Sequence, residues 1–360
     1  MQAGRKAATI LFFQPEPIMK TQSFFGKKRL HLERRCLDLP EVGEQMVLVR
    51  VLACGICGTD LNFIRDWEGD FQPLGHEISA EVVEVGAGIT TIRPGDLVTV
   101  EDCSMCGTCE DCKKGHSELC RRMYTLNGFP GMGEYLVVKA ANLNVFHDLD
   151  PVSASLTEPL AVALSAVLAA QMPPCGSVMV LGSGPIGLLC ARVAKISGAG
   201  FVGISGRSAD TPMARARLAL AEKLGCDLVV KTAVEDIRET VLKHYPSGVD
   251  RVIVTSPPKS IEDAFRIIRY GGTIVFLGLS FAGENCINFD VNAAIFNKTT
   301  LKPCFAEPAI HFPTATELIR KGMIDASLFQ THTFRPDQAQ EVLTATLEGS
   351  LPVIKPVFIP

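Results

Sequence analysis

The chain is 360 residues long, 47% hydrophobic, with a formal charge of −4, so it can hold roughly two domains and bury ample core. That charge balance excludes the electrostatic footprint of a nucleic-acid or anionic-membrane partner, and no apolar run is expected to approach the roughly 20 residues that cross a bilayer. The 13 cysteines, an odd number, leave thiols free or bound to metal, and we expect a reducing, cytoplasmic setting.

Along the chain, the early apolar run Ala7–Phe13 stops at Gln14-Pro15 and lacks the flanks of a secretory leader. Val47–Ala53, Ile78–Val85, Leu97–Val100 and Glu134–Val138 then read as strands punctuated by Gly86, Gly88, Pro94-Gly95 and Gly131, the texture of a β-barrel. Ser155–Ala170 carries helical spacing and ends at Pro173-Pro174. From Ser177 the signals alternate. Strands at Ser177–Leu181, Phe201–Ser205, Leu228–Val230, Arg251–Val254 and Thr273–Leu277 enclose helices at Ile186–Ser197, Ala216–Leu224, Val234–Tyr245 and Ile261–Ile268. Such alternation predicts an α/β unit with a parallel sheet and crossover helices. The pattern breaks near Asn297, and the tail adds helices at Thr314–Lys321 and Asp337–Glu348 before a final strand. We therefore expect a β-barrel domain over 1–165, a doubly wound parallel sheet over 166–302, and a return to the first domain over 303–360.

Val180-Leu181-Gly182-Ser183-Gly184-Pro185-Ile186-Gly187 follows a predicted strand and opens a helix. Gly182 permits a tight turn, Gly184 lets the backbone approach a pyrophosphate, and Gly187 lets helix and strand pack closely. The helix N-terminus offers free N–H groups to the phosphates. At the end of the next strand, Gly206 holds the place where an NAD enzyme usually carries an acidic residue, and Arg207 and Ser208 follow. A guanidinium and a hydroxyl welcome a 2′-phosphate, with Arg215 and Arg217 close by, so NADP is favoured over NAD. Arg207 could instead stack on adenine, and Asp210 could swing back. Leu277, Gly278, Leu279 and Phe305 are expected to complete the cofactor wall.

Two sets of residues suit metals. Cys106, Cys109, Cys112 and Cys120 place four thiols within fifteen residues, a spacing that favours a tetrahedral zinc over disulfides, with an iron–sulfur site as the remaining alternative. Cys54-Gly55-Ile56-Cys57-Gly58-Thr59-Asp60 precedes Gly75-His76-Glu77. A catalytic zinc needs about three protein ligands and an open position, and Cys57, His76 and Glu77 or Glu158 could supply them.

With these motifs, Glu158-Pro159-Leu160 and Lys355 included, nearly the whole chain resembles the zinc-containing medium-chain dehydrogenase/reductase family, nearest its sorbitol and threonine dehydrogenase branch. The resemblance implies a GroES-like catalytic domain with a zinc lobe at 103–121, a Rossmann domain, and an active site in the cleft between them. It implies two zinc ions per chain. Cys106, Cys109, Cys112 and Cys120 would hold the structural one, with Cys103 a bystander. Cys57, His76, Glu77 and Glu158 match the catalytic zinc site, and Thr59 matches the hydroxyl that takes the substrate proton. Many relatives carry a histidine where this chain has Asn62, whose amide has no accessible basic pKa.

The function so implied is a hydride transfer between NAD(P) and a secondary alcohol or ketone of a polyol, sugar or cyclitol. Phe63, Trp67, Glu68, Phe129 and Phe305 suggest a mixed aromatic and polar pocket. An NADPH-dependent reductase of simple aldehydes or ketones is the alternative enzyme, and a non-catalytic nucleotide-binding protein the alternative of another class. The only partner expected is a small alcohol or carbonyl compound, with self-association into a dimer or tetramer.

Overall fold

The computed structural model describes residues 19–126, 130–207, 210–280, 283, 285–307 and 309–360. Ala7–Phe13, Phe129 and Ser208 lie outside the described residues.

Met46–Gly55, written MVLVRVLACG, has the β-branched, apolar content of a buried strand and is the spine of the first domain. It pairs antiparallel with Glu77–Val85 on one side. On the other it pairs with Tyr135–Lys139 near its start and with Pro356–Phe358 at its end. Leu97–Val100, Leu143–Val145 and His332–Phe334 complete a seven-stranded sheet. Its inward side chains, among them Val47, Val49, Val51, Ile78, Val98 and Val100, share one buried cluster. A hairpin, Lys20–Lys27 with His31–Asp38, precedes this sheet and has no counterpart in the strands expected above. Its second strand reads HLERRCLD and is largely solvent-facing, so no apolar alternation marks it.

The second domain is a six-stranded parallel sheet in the order Leu228–Lys231, Phe201–Gly206, Ser177–Leu181, Val249–Val254, Ile268–Phe276, Thr300–Pro303. This is the doubly wound order, with its reversal beside Ser177–Leu181, and the turn after that strand therefore opens into the ligand crevice. Both faces are covered. One buried cluster joins Val178, Val180 and Ile253 to Leu188 and Leu189 of helix Pro185–Ile196, and another joins Met179 and Val252 to Ile237, Val241 and Ile261.

Three expectations need correction. The alternation does not stop at Asn297 but adds a sixth strand, Thr300–Pro303, whose exposed Thr300, Lys302 and Pro303 carry no apolar signature. The helix expected over Val234–Tyr245 spans Ile237–His244, because the Asp236 carboxylate accepts the Glu239 N–H at 2.9 Å and sets its start. Pro151–Ala169 reaches 19 residues at a mean hydropathy of 1.6, closer to a spanning length than expected. Its Leu156, Leu160, Ala163 and Leu164 belong to the same buried cluster as the parallel sheet, which makes it a core helix.

Candidate active site and metal centres

A cavity of about 640 Å³ separates the two sheets. Cys57, Thr59, His76, Glu77 and Glu158 line one wall, while Gly184, Pro185, Ile186, Gly187, Arg217 and Leu277–Leu279 line the other, with Phe305 between them. Gly182, Gly206 and Arg207 do not face it.

The first wall is built from three chain segments that the central strand brings together. Cys57 leaves Met46–Gly55 and caps the helix Gly58–Asp66, while His76 and Glu77 begin the neighbouring strand. Asp60, 2% exposed, joins the two segments. One carboxylate oxygen accepts the Cys57 N–H and the other the Gly75 N–H, each at 2.9 Å. The result is that a thiol, an imidazole nitrogen and a Glu77 oxygen all lie within 4.8 Å of one another. Glu77 is fully buried, and its two oxygens accept from Lys355 Nζ at 2.5 and 2.6 Å; that ammonium also donates to the Ile56 carbonyl at 3.1 Å. Lys355 reaches Glu77 because Pro356–Phe358 pairs with Cys54 and Gly55.

Glu158 lies in the first turn of Thr157–Ala169, is 8% exposed, and accepts no hydrogen bond from the described residues. Burial and then the charge of Asp102 hold its carboxyl well above the usual range. Burial resists a charge on His76, yet Cys57 and Asp60 raise its pKa well above the ordinary value. A thiol, an imidazole and carboxylates that crowd negative charge into a closed space fit a divalent, borderline-soft cation such as zinc.

The four-cysteine cluster fits a second zinc. The sulfurs of Cys106, Cys109, Cys112 and Cys120 lie within 4.8 Å of one another. The N–H groups of Thr108 and Cys109 donate to Cys106 Sγ at 3.4 and 3.3 Å. Thr108, by its N–H and its hydroxyl, brings the Cys106 thiol down to about 6, while burial and the neighbouring sulfurs push Cys112 up to about 12. Cys103 stands apart from them, its thiol donating to Glu307 Oε2 at 2.7 Å.

On the cofactor wall, Gly182 has φ +120°, and a Cβ there would come within 2.7 Å of Thr255 Oγ1. A Cβ at Gly187 would overlap the Gly182 carbonyl, whereas Gly184 faces open space. That is the cradle a pyrophosphate needs at the start of helix Pro185–Ile196. At Gly206 a side chain would run into Ser183 Oγ and approach Leu218 Cδ2 to 2.9 Å. Arg217 is half-buried with an unpartnered Nε, and burial lowers its pKa to about 10.

Sequence reasoning assigned no role to Asp60, Asp102, Glu307 or Lys355. Asp60 had a local signal, an acid three residues past the residue that caps a helix. The other three are brought in by distant segments.

The fold and the two thiol-bearing sites define a zinc-dependent nucleotide-binding oxidoreductase. Residues 43–148 match the alcohol dehydrogenase GroES-like domain, and residues 185–321 match the zinc-binding dehydrogenase family. The chain is 33% identical to L-threonine 3-dehydrogenase of Pyrococcus furiosus, covering 93% of this chain and 97% of that one. It is 28% identical to sorbitol dehydrogenase of Bacillus subtilis, over 95% and 97%. A zinc-binding dehydrogenase from Sinorhizobium meliloti, solved bound to NADP, superimposes with a TM-score of 0.82 at 29% identity over 95% and 100%. The chain belongs to the zinc-containing medium-chain dehydrogenase/reductase family of alcohol dehydrogenases.

Proposed function

We propose that this enzyme oxidises a secondary hydroxyl of a polyol, sugar or cyclitol, or reduces the matching ketone, using NADP. What carries the proposal is the convergence of Cys57, His76 and Glu77, with Glu158 unpartnered beside them, in a cavity whose far wall is the glycine cradle. Similarity to sorbitol dehydrogenase supports the substrate class.

Zinc held by Cys57, His76 and a carboxylate would supply the Lewis acidity that lowers the pKa of an alcohol oxygen. Glu158 is the carboxylate free to approach it, because both Glu77 oxygens are engaged by Lys355. Thr59, in the first turn of Gly58–Asp66, lines the cavity, and its hydroxyl would take the alcohol proton. Asn62 cannot pass that proton on as a base, and its Oδ1 already accepts from Arg65 at 2.7 Å, so the proton leaves through Glu158 or water. Ile56, Leu61, Ile186 and Phe312 line the cavity and keep bulk water from the reacting carbon. The nicotinamide, its pyrophosphate on the Gly184 cradle, would supply the hydride acceptor.

NADP is favoured because Gly206 offers no carboxylate, because Arg207 follows it, and because Arg217 lines the cavity with its Nε unpartnered. The test is metal analysis together with initial rates over polyols, sugars and amino alcohols with each cofactor. Two zinc ions per chain and faster turnover with NADP are expected. A single zinc and no turnover of any alcohol would overturn the proposal.

A further inference from the structure

Asn62 stands close to one helical turn beyond Thr59 on the helix Gly58–Asp66. One face of that helix is anchored. Asp60 and Ile64 are 2% and 0% exposed, and the Ile64 carbonyl accepts the Leu30 N–H at 2.8 Å. Thr59, Asn62, Arg65 and Asp66 instead line the cavity, on the wall that holds Cys57 and His76 and across from the glycine cradle. The reacting alcohol belongs to this wall, because the residues that suit the zinc are here.

Three of these side chains are linked in series. Asp66 Oδ2 accepts from Arg65 Nε at 2.7 Å, and a terminal nitrogen of the same guanidinium donates to Asn62 Oδ1 at 2.7 Å. A guanidinium carries five donors and no acceptor, so the amide can turn only its oxygen toward it. The two N–H bonds of the Asn62 amide have no partner among the described residues. With its oxygen taken, Asn62 can offer a ligand in the cavity only donors. Side chains three apart on a helix have Cβ atoms about 5–6 Å from each other. An alcohol whose reacting oxygen meets Thr59 would therefore bring an oxygen on the next carbon toward Asn62.

We propose that Arg65 holds Asn62 as a fixed hydrogen-bond donor to an oxygen on the carbon next to the reacting carbinol, so that Asn62 determines specificity and Arg65 is its positioning residue. This rests on the alcohol-oxidising activity proposed above and assigns its selectivity to one amide. A site arranged to bond a substrate oxygen discriminates against the analogue that lacks it, because its own polar group is then closed off from water unpaired.

The experiment compares zinc-loaded enzyme, with each cofactor at neutral pH, on two matched pairs. One is propylene glycol and isopropanol, and the other is vicinal cyclohexanediol and cyclohexanol. The diol is expected to have the higher kcat/KM in each pair. Asn62→Asp keeps the size of the side chain and its contact with Arg65 but removes both donors, and the ratio of diol to simple alcohol should fall by about tenfold. Both members of a pair are neutral, so the added charge cancels in the ratio. Arg65→Met frees the amide to turn and should lower the ratio by a smaller factor, while Arg65→Lys, whose ammonium can still donate to Oδ1, should restore it. Equal kcat/KM for diol and simple alcohol in the unaltered enzyme overturns the inference while leaving the dehydrogenase standing. A ratio unmoved in folded Asn62→Asp or folded Arg65→Met also overturns it, as does a higher KM for both cofactors at an unchanged ratio, which would give the amide to the cofactor. If none of the four alcohols is oxidised with either cofactor, the activity itself falls, and this inference with it.

Discussion

Lys355 and Glu77 form an ion pair sealed from solvent, 2% and 0% exposed, with the ammonium 2.5 and 2.6 Å from the two carboxylate oxygens. Taking two charges out of water is costly, and the pair persists because the Ile56 carbonyl accepts a further bond from the same ammonium at 3.1 Å. Each partner is thereby essential to the other.

Lys355→Met should therefore leave a buried carboxylate unpaired and cost about 3–5 kcal/mol in urea unfolding. Adding Glu77→Gln to that variant should recover a large part of the loss. If the double variant is as unstable as the sum of the singles, the two side chains do not act as a pair.

Asp60→Asn should weaken one metal site selectively. The carboxylate that joins Cys57 to Gly75 would become an amide able to accept from only one of the two N–H groups. Removing such a support lowers metal affinity by roughly 10–100-fold. Chelator competition should release one zinc early while the other, on Cys106, Cys109, Cys112 and Cys120, stays bound. Simultaneous release of both would contradict this.

Arg207→Ala and Arg217→Ala should raise the KM for NADP by about tenfold or more and leave the KM for NAD much less affected. Initial rates with each cofactor measure this directly. Equal changes for both cofactors would mean that these arginines do not bind a 2′-phosphate.

Glu101 gives a pH dependence. Burial raises its carboxyl to about 7 despite the Asn144 amide, which donates to it at 2.7 Å. The folded pKa lies above the unfolded one, so this stabilising contribution is complete below the ordinary carboxylate range and is lost as pH rises through about 7. In Glu101→Gln the decline of Tm across that interval should flatten, as thermal melts at a series of pH values would reveal.

Much of the candidate site could be read from local sequence. Gly182, Gly184 and Gly187 are spaced for a strand-to-helix turn, and Cys57 and His76 stand in short motifs whose chemistry is local. The doubly wound sheet was equally legible because its inner strands are apolar on both faces. The edge strand Thr300–Pro303 and the hairpin strand His31–Asp38 were not, since each is largely exposed and carries no apolar period. Asp102, Glu307 and Lys355 were beyond local reading for another reason. Their partners are set by tertiary closure, and nothing within a few residues of Lys355 points to Glu77.

The separation of that pair bears on how the protein is made. Glu77 and Lys355 are 278 positions apart, and the whole parallel-sheet domain lies between them in the chain. Closing so long a loop costs on the order of 5 kcal/mol of chain entropy, a cost that falls when the intervening domain has already folded and brought its ends together. During synthesis every strand of the parallel sheet is made while Glu77 still waits for its counter-charge. The wall that holds Glu77 is thus among the last parts of the molecule to be finished, and a chain stalled before residue 355 would leave that acid without its partner.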